Sequence, residues 1–280
     1  MRTIILLGLT FLLFFPVLLL ADDDEEIVDD SLLCSDTLRV PVEQLPVDSN
    51  FRFIINDAFG AGESLVFTIG WKMVEAGEAT LEVLEVFEHK DRPVYKIRSV
   101  AKSYPFFDSF FKVRDTAESW IDVEGLFSWY FMKKLREGGY KSELTQKYDQ
   151  FRNILYTRDT IFSVPRYVQD VLSSLYYIRT QKLEVGDTLT LDNFGKRNCY
   201  PLDVIVHGKE IVEVPAGKFK CIKVEPLLKA AGIFKHEGRM TVYLTDDRLK
   251  MPVLLESKVV VGSIYAKLSD YRIGELYEDY

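Results

Sequence analysis

The sequence predicts a mainly β protein, in which one large curved antiparallel sheet, half-barrel or barrel-like, packs around a single amphipathic helix. Apolar and polar residues alternate at period two through most of the chain from Phe51 onward, the pattern of half-buried strands. The connections between those runs are mostly short, which favours antiparallel pairing. Only one stretch, "PRYVQDVLSSLYYIRT", carries a helical period, with Val168, Val171, Leu172, Leu175 and Ile178 on one stripe and Pro165 just upstream.

The N-terminus reads as an export signal over residues 1–21. Arg2 precedes an apolar run from Ile4 to Leu20, short for a comfortable membrane span, and Ala21 offers a cleavage point. Leu19 is large for the position three before the cut, so an uncleaved anchor is the alternative. The acidic run "DDDEEIVDD" follows, and positive before negative favours export of what comes after. The expected location is therefore outside the cytoplasm, in the periplasm. Cys34 follows leucines and lies well beyond the apolar core, which does not fit a lipid-attachment signal. Residues 22–50 read as an acidic linker.

The folded domain is expected over 51–270, with a tail at 271–280. In "SLVFTIGWKM", Leu65, Phe67, Ile69, Trp71 and Met73 share one face. The turn is placed at "VEAGEA", where Gly77 tolerates positive φ, and Ala79, Leu81 and Val83 line the return strand. "RPVYKIRSVAKS", "RDTAESWIDV", "SWYFMKKLRE", "YKSELTQKYD" and "FRNILYTR" continue the pattern, with a Gly-Gly hairpin in "REGGYK". After Tyr200 come "LDVIVHG", "KEIVEV", "KFKCIKVEPL", "RMTVYLTDD", "MPVLLESKVV" and "SIYAKL". That makes about a dozen strands, split into halves at 51–157 and 183–270 by a helix near 167–179.

Charge and motifs narrow the function. The chain carries a net charge of −8, and loss of residues 1–21 removes Arg2 and no acid, giving −9. An acidic chain without a basic cluster repels phosphate backbones, which argues against a nucleic-acid partner. Cys199 and Cys221 lie on neighbouring stretches of strand, either bridged or packed as small hydrophobes. There is no nucleophile elbow, zinc-protease motif, phosphate loop or dinucleotide fingerprint. His89, His207 and His236 are scattered, and Asp246-Asp247 reads as a turn cap in preference to a cation site. The residues call for no metal or cofactor, and the expected protein is not an enzyme.

Aromatic residues are the positive signal: 19 Phe, 15 Tyr and 3 Trp. "YPFFDSFF" contributes Tyr104, Phe106, Phe107, Phe110 and Phe111, more aromatic surface than a short connector easily buries, and "FSWYF" contributes Trp129. Such residues build either a β core or an apolar cavity with a membrane-touching rim. Arg179 near the helix end, like Arg114-Asp115, reads as a structural ion pair or as a seat for an anionic head group. The candidate ligand-binding set is Phe67, Trp71, Tyr104, Phe106, Phe107, Phe110, Phe111, Trp129 and Arg179.

Three ordered segments resemble one bacterial family: "GESLVFTIGWKMVEAGEATLEV", "DVLSSLYYIRT" and "VPAGKFKCIKVEPL…MTVYLTDDRLKMPVLLESKVVVGSIYAKL". The family is domain of unknown function 3108, and the resemblance spans about residues 55–270. It implies a β-rich Gram-negative envelope protein with a signal peptide, and it implies no activity and no catalytic residues. The half-barrels of periplasmic lipoprotein carriers are similar at the level of fold only. The sequence thus predicts an exported envelope protein holding an apolar or lipid-like ligand in the concave face of its sheet, with peripheral membrane contact at the rim. The alternative is a scaffold or assembly factor with a protein partner and a packed interior, and a carboxylate-based enzyme is a distant third.

Overall fold

The computed structural model describes residues 36–195, 198–228, 240–259 and 262–277. The expected signal peptide, the acidic run, Cys34 and His236 lie outside these residues. Fifteen strands among the described residues form one antiparallel sheet. The first half comprises β1 (Asp36–Thr37), β2 (Ser64–Trp71), β3 (Val74–His89), β4 (Arg92–Ser103), β5 (Arg114–Asp122), β6 (Ser128–Glu137), β7 (Tyr140–Asp149), β8 (Ile154–Tyr156) and β9 (Ile161–Ser163). The second comprises β10 (Thr188–Phe194), β11 (Cys199–Val214), β12 (Gly217–Leu228), β13 (Met240–Thr245), β14 (Pro252–Val259) and β15 (Gly262–Arg272). A single helical turn, α1 (Pro105–Asp108), interrupts the first half, and α2 (Val171–Thr180) joins the halves.

The strand order is two meanders joined back to back. Strands β2 to β9 run consecutively outward, β10 to β15 do the same, and β2 pairs with β15. The sheet is not closed by pairing, yet its two flanks meet. Gln169 exchanges backbone hydrogen bonds with β10, donating to Asp192 O and accepting from Phe194 N, both at 2.9 Å. Phe162 of β9 and Phe194 of β10 are in tilted ring contact, with centroids 5.2 Å apart. Curvature follows from the accumulated strand twist and from bulges.

The core is one continuous cluster drawn from both halves and from α2. Leu65, Phe67, Ile69, Ala79, Leu81 and Val83 all face it, as the alternation requires. The hairpin turn, however, is not at Gly77. Trp71 pairs with Val74, so the chain reverses at Lys72-Met73, with Lys72 at φ 54°. Gly77 lies inside β3 beside a bulge, where a Cβ would come 2.5 Å from Lys102 O. Its glycine serves a close backbone approach and not a positive φ.

A second, smaller aromatic cluster lies on the other face, built on Val94, Phe127 and Trp129 and covered by Phe51, Phe87, Trp120, Phe151 and Tyr167. The segment read as a linker contributes to this packing. β1 pairs with β9, Asp48 N donates to Phe151 O, and Asp48 pairs with Arg166 at 2.8 Å. At the other terminus the expected tail is also docked, since Glu275 bridges Ala61.

Candidate functional site

The hollow of the sheet is occupied by α2. The helix begins at Asp170 and not at 167, because Asp170 is extended and its side chain caps the helix. Asp170 Oδ1 accepts from Leu172 N and Ser173 N, and Oδ2 accepts from Ser119 Oγ on β5 and Ser128 Oγ on β6. One carboxylate thus starts the helix and ties it to two strands. Burial pushes this carboxyl above its ordinary pKa, while the four hydrogen bonds pull the other way. Eight of the ten helical residues are buried, Leu172 and Tyr176 completely.

At the helix end, Arg179 is sealed from solvent. Its guanidinium meets Glu63 at 2.7 and 2.6 Å, and also donates to Ala58 O at 3.2 Å and Leu249 O at 3.1 Å. Tyr176 packs edge-on against Phe59 and donates its hydroxyl to Glu63. Arg179 is therefore a structural ion pair, with four of its five N–H donors committed and no exposed surface to present to a head group.

The remaining predicted site residues separate into three places. Phe67 lies in the core with the helix stripe. Trp129, 1% exposed, is the extra residue of a bulge, since Trp120 pairs with Tyr130 and Ile121 with Ser128. The bulge turns it to the outer cluster, where its indole N donates to Asp122 Oδ2 at 3.1 Å. Trp71, 42% exposed, stands at the β2–β3 tip and not on the concave lining, and Met73 beside it is 96% exposed.

Tyr104, Phe106, Phe107, Phe110 and Phe111 form a compact knuckle between β4 and β5. Pro105 at the first helical position favours the turn, and Phe107 O accepts from both Phe110 N and Phe111 N. Asp108 fixes it from below, paired with Arg114 at 2.6 Å and accepting from Ser103 Oγ at 2.5 Å. These partners hold the Asp108 carboxyl below its ordinary pKa, Arg114 most of all. Phe107 and Phe111 are half-buried, the latter against Gly138, whereas Phe106 and Phe110 are 70% and 75% exposed.

Backbone hydrogen bonds bring three tips to one end of the barrel. Tyr104 N donates to Ala76 O, Gly138 N to Lys112 O, and Lys72 N to Ser263 O. This end therefore displays Trp71, Met73, Phe106, Phe110 and Tyr140 together, a juxtaposition that sequence reasoning missed because it placed the β2–β3 turn five residues late.

Other candidate chemistry resolves into structure. Asp247 caps the β13–β14 turn, accepting from Thr245 Oγ1, Leu249 N and Lys250 N, while Asp246 pairs with Lys209. Asp115, its carboxyl pushed up by burial, accepts from Arg136 N. His207 pairs with Glu225, and His89 sits between Trp120 and Trp129. Cys221 is a free buried thiol, raised to about 11 by burial, so no Cys199–Cys221 bridge exists. Among the described residues there is no cluster of three or more metal-ligating side chains, and no helix is long and apolar enough to cross a membrane.

An open, barrel-like antiparallel sheet wrapped on an internal helix defines the class. The chain belongs to the family described as protein of unknown function (DUF3108), which it matches over residues 66–269. Among solved structures it is similar in fold to a β-barrel-like protein of domain of unknown function DUF1849 from Brucella abortus, with 10% identity, a TM-score of 0.53, and coverage of 78% of this chain and 100% of that one. A candidate exported protein with a YmcC-like fold from Bacteroides fragilis aligns over 79% of this chain and 99% of its own, at 15% identity and a TM-score of 0.30. A candidate lipoprotein from Parabacteroides distasonis aligns over 80% and 100%, at 12% identity and a TM-score of 0.35. No curated protein matches.

Proposed function

We propose that the protein is exported and works in the bacterial cell envelope as a non-enzymatic scaffold or assembly factor, not as a carrier. One observation carries this reading: the hollow that a carrier would keep for its ligand is filled by α2, with Leu172, Leu175 and Tyr176 in the same core as Phe67. Close-packed interiors leave no room for a lipid without displacing the helix. Displacement would also break the buried Arg179–Glu63 pair and the Asp170 cap. The N-terminal apolar run supports export.

A carrier would hold an apolar or lipid-like ligand against Phe67 and the helix stripe. Native mass spectrometry of the exported protein, purified without detergent, separates the two readings when paired with organic extracts of the same sample. The scaffold reading expects the mass of the polypeptide alone. A stoichiometric co-purifying lipid, lost on replacement of Phe67 by a polar residue in a still-folded variant, would establish the carrier instead.

A further inference from the structure

We propose that the end of the barrel bearing the 104–113 connection seats on the surface of an anionic phospholipid bilayer, with Phe106 and Phe110 entering the acyl boundary. This holds whether or not the interior ever takes a ligand.

The apolar groups at this end project instead of lining a groove. Phe106 and Phe110 contact each other at 5.6 Å and Phe106 meets Phe107 at 5.2 Å, so they form one raised patch. The knuckle is held in place, not loose: the Arg114–Asp108 pair, the Ser103 hydroxyl and two turn hydrogen bonds fix it. A braced protrusion that keeps two phenyl rings in water has a standing cost of about 25 cal/mol per Å² of apolar surface, which burial elsewhere recovers. Trp71 and Tyr140 beside it are the residue types that lie at head-group depth.

Charge identifies the occupant. Lys72, Lys112 and Lys141 are exposed on the three tips. Of the acids described on these three tips, Glu137 is buried, Asp108 is neutralised by Arg114, and Glu75 is exposed. A protein of net charge −8 thus turns a locally basic, aromatic end outward. Lysines around exposed aromatics match an anionic head-group layer with an apolar layer beneath it. A bilayer also accommodates separate protrusions, whereas a folded protein partner needs a complementary surface for each.

The test is co-sedimentation of the mature protein with vesicles of phosphatidylcholine alone and of phosphatidylcholine mixed with phosphatidylglycerol, at low salt. Binding to the mixed vesicles is expected, with a loss of at least about tenfold in Phe106→Asp/Phe110→Asp. Each of Lys72→Gln, Lys112→Gln and Lys141→Gln should cost up to about fivefold. Phe53→Asp, an equally exposed site beside the 123–127 connection at the other end, should bind like the parent. Far-ultraviolet circular dichroism confirms folding of each variant, and a blue shift of tryptophan emission on binding should vanish in Trp71→Phe. Absence of binding by the parent protein overturns the proposal, as does undiminished binding by both the phenylalanine and lysine variants. So does a rim that is occupied only by a cross-linked envelope protein.

Discussion

Arg179 and Glu63, separated by 116 residues, form a two-pronged ion pair with neither side chain exposed by more than 3%. The pair joins the C-terminal turn of the internal helix to the residue before β2, the strand on which the two meanders meet. Cutting one side leaves the other charge buried and unpaired. Arg179→Met should therefore lower unfolding free energy by about 3–5 kcal/mol in urea titrations. Adding Glu63→Gln should recover part of that loss, because the stranded carboxylate is then gone.

Asp170 is the matching anchor at the helix start. Asp170→Ala removes a cap and strands the hydroxyls of Ser119 and Ser128. A cap alone is worth about 1 kcal/mol and each stranded buried hydroxyl about 1–3 kcal/mol. A total loss of roughly 3–7 kcal/mol is expected in the same titration, with Asp170→Asn less severe.

The tryptophans differ by position. Trp129→Ala empties a buried site and should cost about 3–5 kcal/mol. Trp71→Ala, at an exposed tip, should change stability by less than about 0.5 kcal/mol. Thermal melts of the two variants check the assignment of one to the outer core and the other to the rim.

His89 gives the pH dependence a definite sign. Desolvation and the neighbouring Lys90 depress its pKa below the ordinary 6.5. The unfolded chain then binds the proton more readily than the native one, so stability is full above pH 6.5 and falls as pH drops below it. His89→Gln should flatten this part of a melting-temperature profile, leaving the carboxylate-driven loss at lower pH.

Much of the sheet was readable because period-two patterning is a direct image of burial. Leu65, Phe67 and Ile69, and the facing Ala79, Leu81 and Val83, lie where alternation puts them. β10 was missed although "TLTLDNF" alternates, and it proves to be an edge strand clasped by Gln169. Errors gather where the period breaks. The bulge at Trp129 moves an aromatic to the outer face, and the real β2–β3 turn at Lys72-Met73 carries neither Gly, Asn nor Pro. The excess of aromatics in "YPFFDSFF" was legible as surface the connector could not bury, and Phe106 and Phe110 are indeed exposed. The Glu63 partner of Arg179 was not, since contacts between distant segments depend on a topology that local pattern does not encode.

The central claim is that α2 is a permanent part of the core. Native-state hydrogen exchange of its amides, residues 174–180, tests it most directly. The account predicts that they exchange only through global unfolding, with the same free energy and denaturant slope as the slowest amides of β3 and β4. Exchange of the helix by a smaller opening, while those strands stay protected, would mean that the helix leaves the hollow and that the interior is a site after all.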